Sequence, residues 1–318
     1  MEKIKKIYPD SVNVVIATNN NYAPYTVVAL TSLIAHTSDK NNYDIIVLET
    51  DVSDEYKNIL STLKKDNISV RTYNVNKFFE RNEFWHYSYW SKETYSRLCI
   101  PEIMEDYEKV LYLDVDVIIQ ADVAELYNTD ISDYLIAGNR NYGLITSIRH
   151  SPSLQYYYGT IFPIKNVKNL INAGVILMNI PKLKELQLED KAIDILDQHK
   201  KLLFQDEDLL NKLCEDKILY IDSSWNFRYA VPEKLVYDWQ LLDIAQQWAT
   251  GLHKQNIIHY VSKEKPWDYP NLYYSEIWWA WAKKSPIYQQ LLKAYFDKNS
   301  PEQKVQQWKN LKKSTKIQ

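Results

Sequence analysis

The sequence predicts an α/β fold, a mainly parallel central sheet flanked by helices, followed by a helical, basic and aromatic C-terminal extension. Three observations predict it. Short β-branched apolar runs recur at 12–18, 43–49, 68–75 and 109–113 with helix-compatible stretches between the first of them, the alternation that gives a parallel sheet. The first run is continuous, as a strand covered on both faces should be. The chain of 318 residues, 46% hydrophobic and 25% charged, can bury a full core without covalent staples.

Taken in order, Val12 to Thr18 reads as a buried strand that ends in the polar loop Asn19-Asn20-Asn21. Residues 23–36 have helical spacing, 43–49 form a second strand, Ser53 opens a second helix to about 65, and 68–75 make a third strand. The segment 76–92 is aromatic and irregular, and 94–104 is helical with an interruption at Pro101. Residues 109–113 form the next strong strand, with Asp114-Val115-Asp116 at its C-terminal end and a further apolar stretch at 117–119. After 135–137 comes a polar, tyrosine-rich region to 160. A strand at 171–180 is broken by Pro181, a charged helix runs to about 200, and 205–214 is helical. Short strands at 218–222 and 256–261 complete the body. With no internal repeat and no long linker, the economical division is one catalytic domain, 1–268, and an extension, 269–318.

Composition narrows the classes of function. Cys99 and Cys214 lie far apart without CxxC spacing, so they read as packed thiols and not as a disulfide or zinc framework. The N-terminus lacks the apolar stretch of a signal peptide and no segment reaches the length of a membrane span, which predicts a cytoplasmic protein. A net charge of −3 argues against nucleic-acid binding. That average hides an uneven distribution: from residue 283 onward nine lysines face only Asp297 and Glu302, a local balance of +7 that leaves about −10 for the body.

The acidic pair is the first candidate site, because ligands of open α/β sheets bind beyond the carboxyl ends of strands. The five glycines form neither GxGxxG nor a P-loop, so no backbone cradle of those types awaits a phosphate. A bound diphosphate would need a metal to share its charge. Two carboxylates one residue apart can direct oxygens to one Mg²⁺ or Mn²⁺, which would also take diphosphate oxygens. Alone, such a pair fits a solvated acidic turn equally well.

Its company is more specific. In order along the chain stand Ala17-Thr18-Asn19-Asn20-Asn21-Tyr22, Tyr95-Ser96-Arg97-Leu98, Val110-Leu111-Tyr112-Leu113-Asp114-Val115-Asp116, Asn172-Ala173-Gly174-Val175, Gln205-Asp206-Glu207-Asp208-Leu209-Leu210-Asn211, and His259-Tyr260 followed by Lys265-Pro266-Trp267. Over residues 12 to 268 this set resembles glycosyltransferase family 8, the retaining family of bacterial lipopolysaccharide galactosyl- and glucosyltransferases and glycogenin. The resemblance implies a GT-A, Rossmann-like fold, a UDP-hexose donor, a glycan acceptor and a divalent cation. It places Ala17, Asn19, Asn21, Tyr22, Asp114 and Val115 at the nucleotide, and Asp114, Asp116 and His259 on the metal. An imidazole ligand suits Mn²⁺ better than Mg²⁺, which remains the alternative. Arg97, Asn172, Ala173, Gly174, Asp206 and Glu207 fall at the transferred sugar, and Lys265 faces the diphosphate, where a fixed cation stabilises departing UDP.

Two departures stand out. The family usually has Asp where Asn19 stands; an amide can still accept from uracil N3–H, and can suit another base. At Glu207 the bacterial galactosyltransferases often carry Gln. A carboxylate there permits a covalent glycosyl-enzyme, by analogy with retaining glycosidases, or stabilisation of an oxocarbenium-like transition state while the acceptor attacks from the leaving-group face, or a hydrogen bond to the acceptor.

Tyr142, Tyr156, Tyr157 and Tyr158, with the aromatics of 84–90, are candidates for an acceptor cleft, since sugar faces stack on rings with a polar edge. Ile277-Trp278-Trp279-Ala280-Trp281, Lys283-Lys284 and Trp308 suit docking on an anionic membrane without spanning it. A helical appendage packed on the domain, or a basic face for a partner, fits them too. The rival readings of the whole chain are a catalytically idle carbohydrate-binding or membrane-adaptor protein, and a sugar nucleotidyltransferase.

Overall fold

The computed structural model describes residues 2–82, 84 and 91–300. Nine strands are present among them: β1 Val12–Thr18, β2 Tyr43–Glu49, β3 Ile68–Asn74, β4 Lys109–Leu113, β5 Val117–Ile119, β6 Ile136–Arg140, β7 Ile171–Asn179, β8 Ile218–Tyr220 and β9 Ile257–His259. Seven form the central sheet in the order β3-β2-β1-β4-β7-β6-β8, and β5 pairs with β9 in a small antiparallel sheet. Every neighbouring pair of the central sheet is parallel except those involving β7, which runs against both β4 and β6.

The continuous apolar runs form strands because both faces of the sheet are covered. Along β1, Val15 and Ala17 enter one core while Val14 and Ile16 enter the other. In β2, Ile46 and Leu48 are divided from Ile45 and Val47 in the same way. A period of two thus feeds two cores at once. The helix Ala23–Ile34 covers one of them with Val27, Leu30 and Leu33.

Element ends follow local chemistry. Ser53 caps the helix Asp54–Thr62, its hydroxyl accepting from the Tyr56 amide, and Asp54 and Glu55 lie in the first turn, where carboxylates favour the helix dipole. That helix stops short of the expected 65 because Lys65 and Ile68 exchange two backbone hydrogen bonds of 3.0 Å in a tight turn into β3.

Pro101 starts a helix where an interruption was expected, and Pro181 ends the strand as expected while standing at the start of the next helix. Residues 92–99 form a 3₁₀ helix, and Pro101 lies in the first turn of the helix Ile100–Ile103. Pro181 lies in the first turn of Ile180–Glu185, which Asn179 caps. A proline there lacks only an N–H that no carbonyl would have received. The charged helix expected to run to about 200 is two helices, parted at Gln187 (φ 59°) before Leu188–Gln198. The tyrosine-rich region is helical as well, with Tyr142–His150 and Pro152–Tyr156 capped by Asn141 and Ser151.

The extension packs on the body. Its helix Ser275–Lys284 buries Trp278 against Trp267 and Tyr25, whose rings stack at 3.8 Å, and Trp279 Nε1 donates to Pro266 O at 2.9 Å. The tryptophans expected to face a membrane are therefore largely occupied by the domain. Trp308 lies outside the described residues, as do residues 85–90 of the aromatic stretch. Among the described residues no helix is long and apolar enough to cross a membrane. Both cysteines are buried and free, and burial pushes the Cys214 thiol up to about 12.

Candidate active site

Strand direction assembles the site. β1 and β4 run parallel and finish at the same edge of the sheet. β7 runs the other way, pairing Val175 with Leu113, so Asn172, Ala173 and Gly174 lie alongside the segment that leaves β4. The Asp114 amide donates to Gly174 O at 2.8 Å. The small sheet supplies the remaining member: β9 pairs His259 with Val117, beside Asp116. One ligand atom from each of Asp114, Asp116 and His259 falls within 4.8 Å of the other two.

This donor set fits a divalent cation. His259 Nε2 lies 3.1 Å from Asp116 Oδ1 and 3.6 Å from Asp114 Oδ2, while Nδ1 lies 2.9 Å from Asn226 Oδ1. With Nδ1–H donating to Asn226, the Nε2 lone pair faces two carboxylate oxygens, an arrangement that a cation between them would stabilise. Gly174 keeps the space open: a Cβ there would lie 2.2 Å from His259 Cε1 and 2.6 Å from Asp114 Oδ2. One nitrogen and two carboxylates suit Mn²⁺ better than strictly oxygen-bound Mg²⁺.

Lys265 stands beside the cluster, its ammonium 2.5 Å from Asp116 Oδ2 and 2.7 Å from Tyr260 O. Burial opposes ionisation of Asp116, but the charge of Lys265 prevails and holds its carboxyl well below the usual carboxylate range. The predicted nucleotide residues lie at the end of β1. Ala17 is its penultimate residue, Asn19 accepts from the Tyr22 amide and donates to Glu93 at 2.9 Å, and Asn21 is exposed. Tyr22 meets Trp267 edge-on and feels the charge of Asp116. Val115 is half-buried between the two aspartates.

The residues predicted to meet the sugar gather around the helix Gln205–Leu213. Asn211 clamps that helix to β7, accepting from the Ile171 amide at 2.8 Å and donating to Ile171 O at 2.9 Å. The clamp sets Glu207 against the start of β7. Its Oε2 accepts from Asn172 Nδ2 and from the Ala173 amide, each at 3.0 Å, and its Oε1 accepts from Asn141 Nδ2 at 2.6 Å. Asp206 accepts from Thr94 Oγ1 and pairs with Arg97 Nε at 2.9 Å. Arg97, buried, reaches Asp114 Oδ1 at 2.9 Å with the other side of its fork and donates to Ala173 O. It is a strut between the two acidic groups. Burial raises both sugar-side acids: Asp206 to about 6, with Arg97 pulling the other way, and Glu207 to about 7 against its three donors.

Of the tyrosines expected to line an acceptor cleft, three are structural. Tyr157 and Tyr158 are buried with their hydroxyls on Asp208 at 2.7 Å, and Tyr142 is buried with its hydroxyl receiving Asn139 Nδ2. Tyr156 alone of the four is exposed. A buried aspartate needs donors, and these hydroxyls supply them.

Sequence reasoning missed Asn141, Asn226 and Arg228. Arg228 is buried, donates to Asn141 Oδ1 at 2.9 Å and Asn139 Oδ1 at 3.1 Å, and is pushed down to about 10 by burial, against the charge of Glu207. The available signal was the alternation Ser224, Asn226, Arg228 in a stretch that reads neither as helix nor as apolar strand. Phe227 lies between them, fully buried and paired with Ile258 beside β9.

The sequence model of the family described as Glycosyl transferase family 8 matches residues 13–270. The chain belongs to this family. Glycosyltransferase GlyA of Streptococcus pneumoniae serotype 4 is 31% identical over 191 residues, 59% of this chain and 23% of GlyA. The apo structure of the bifunctional glycosyltransferase WbbM superposes with a TM-score of 0.83 at 24% identity, over 92% of this chain and 53% of that one. The family 8 chain thus spans less than two thirds of either protein. The structure of galactosyltransferase LgtC in complex with donor and acceptor sugar analogues matches with a TM-score of 0.72 at 24% identity, over 86% of this chain and 96% of LgtC. The fold is GT-A.

Proposed function

We propose that this chain is a retaining hexosyltransferase that moves galactose or glucose from a UDP-sugar to a glycan acceptor of a cell-surface polysaccharide, a lipid-linked glycan or a glycoprotein. The observation that carries the reading is the convergence of Asp114, Asp116 and His259, with Lys265 beside them, at the edge where the β1 loop ends. Asp114, Asp116 and His259 hold Mn²⁺, which when bound supplies Lewis-acid stabilisation of the departing diphosphate. Lys265 adds a fixed ammonium on the same side. Ala17, Asn19, Asn21, Tyr22 and Val115 hold the nucleotide. Asp206, kept in place by Arg97 and Thr94, holds sugar hydroxyls, while Asn172, Ala173 and Gly174 line the sugar's place.

Glu207 serves in this reading as an electrostatic stabiliser of an oxocarbenium-like transition state, with the acceptor attacking from the face that UDP leaves. Three hydrogen bonds engage both its oxygens, which blunts a carboxylate as a nucleophile. A hexosyl adduct on Glu207, detected by mass spectrometry after incubation with donor alone, would overturn that assignment in favour of the two-step route.

The decisive assay offers radiolabelled UDP-galactose and UDP-glucose with Mn²⁺ and then with a chelator. Metal-dependent release or transfer of labelled hexose is the expected result. If neither donor binds or turns over, the adaptor reading takes its place; consumption of a nucleoside triphosphate with release of pyrophosphate would favour a nucleotidyltransferase.

A further inference from the structure

We infer that Asn226 is a positioning residue that ties the metal side of the site to Glu207; the inference rests on the metal reading proposed above. Asn226 is fully buried in the 3₁₀ turn Ser223–Asn226, which Asp222 caps. Hydrogen bonds from Phe227 N to Ile257 O at 2.8 Å and from His259 N to Phe227 O at 2.9 Å lay the following segment along β9 and bring Asn226 level with His259. Both ends of its amide are then used. Oδ1 meets His259 Nδ1 at 2.9 Å, and Nδ2 donates to Asn172 Oδ1 at 3.0 Å. Asn172 in turn donates its Nδ2 to Glu207 Oε2 at 3.0 Å, and its Oδ1 also accepts from the Gly174 amide at 3.2 Å.

The chain His259, Asn226, Asn172, Glu207 has a direction. An Nε2 that offers its lone pair to a cation carries its proton on Nδ1. Asn226 must then present oxygen to His259 and its NH₂ group to Asn172. Asn172 must present oxygen to Asn226 and its NH₂ group to Glu207, so Glu207 receives on Oε2. One tautomer at the metal side fixes two amide orientations and the acceptor state of a carboxylate two side chains away. Asn141, held by Arg228, closes the same carboxylate from its other oxygen.

Two substitutions separate the ends of the amide. Asn226→Ala removes both contacts, and Mn²⁺ titrated alone into the chelator-treated protein should bind about tenfold or more weakly, the usual effect of losing the partner of a ligating histidine. Asn226→Asp still accepts from Nδ1–H, so Mn²⁺ affinity should stay within about threefold of wild type. It has no donor for Asn172, however, and donor turnover should fall about tenfold with little change in donor KM, because the group that acts in the transition state loses its orientation. Wild-type Mn²⁺ affinity in Asn226→Ala, or wild-type kcat in Asn226→Asp, would overturn the inference. So would losses in both variants that merely follow a lowered Tm, the mark of a packing residue. Asp114→Ala measured alongside keeps the two readings apart: if it binds Mn²⁺ like wild type, the metal assignment itself fails, whatever Asn226 does.

Discussion

The two halves of the site contain the same kind of side chain and treat it in opposite ways. On the proposed metal side Asp116 is buried, yet the Lys265 ammonium holds it ionised below the ordinary range. On the sugar side Asp206 and Glu207 are also buried, with Arg97 against one and Arg228 reaching the other only through Asn141, and burial carries them up to about 6 and about 7. Burial alone does not decide whether an acid is charged. The balance of charge at each carboxylate decides it: the Lys265 ammonium sits on Asp116, Arg97 divides its fork between Asp206 and Asp114, and Glu207 receives its hydrogen bonds from neutral amides.

The largest effect should come from breaking the metal side. Asp114→Ala removes a ligand and the anchor of Arg97, and donor turnover should fall more than about 100-fold, beyond what loss of a ligand's supporting partner costs. Circular dichroism should still report a folded protein, since Asp114 is only partly buried. Unchanged metal-dependent turnover would end the assignment. Next comes Gly174→Ala, whose methyl group must displace His259 or Asp114. The strain should be about 1–3 kcal/mol, read as a weakening of Mn²⁺ binding by roughly tenfold. If Mn²⁺ affinity is unaltered, the close approach at Gly174 is not what shapes the cluster.

The subtlest effect belongs to the sugar side. The folded protein holds the Glu207 proton to about 7, whereas its ordinary value is 4.5. Its contribution to stability is therefore fully present below about pH 4.5 and is lost as pH rises through 7, by about 3 kcal/mol at most. Comparing the Tm of wild type and Glu207→Gln in chelator from pH 4.5 to 8 isolates that contribution. Wild type should lose stability relative to the variant across this window and level off above it. A flat difference curve would mean that Glu207 titrates like an ordinary carboxylate and that the contrast between the halves is weaker than stated.

Much of the fold was legible because β1, β2 and β4 are continuous apolar runs bounded by polar turns, a signal that tertiary context seldom overrides. The clustering of Asp114, Asp116 and His259 was legible from the resemblance, since all three fall in its ordered blocks, and the pairing of β5 with β9 brings the distant histidine to the two aspartates. Pro101 misled because a proline reads alike before a helix and inside one; the distinction lies in whether its missing N–H had a partner. Asn141, Asn226 and Arg228 were invisible for a different reason. A buried amide or guanidinium holds its place through partners remote in sequence, and the alternation of Ser224, Asn226 and Arg228 does not say what those partners are. The tyrosines of 156–158 show the same limit from the other side: only the position of Asp208 reveals that two of them are spent on a carboxylate.

β7 is the one reversed strand of the central sheet, and its reversal divides the freedom to vary. Because its first residues, not its last, reach the edge where β1 and β4 end, the segment entering β7 is adjacent to the proposed sugar site, while the chain leaving at Asn179 emerges at the opposite end beside Glu108 and Leu135. On the proposed reading, length changes in the loop before Ile171 should therefore act first on the sugar side of the site. Length changes after Asn179 should be silent in specificity.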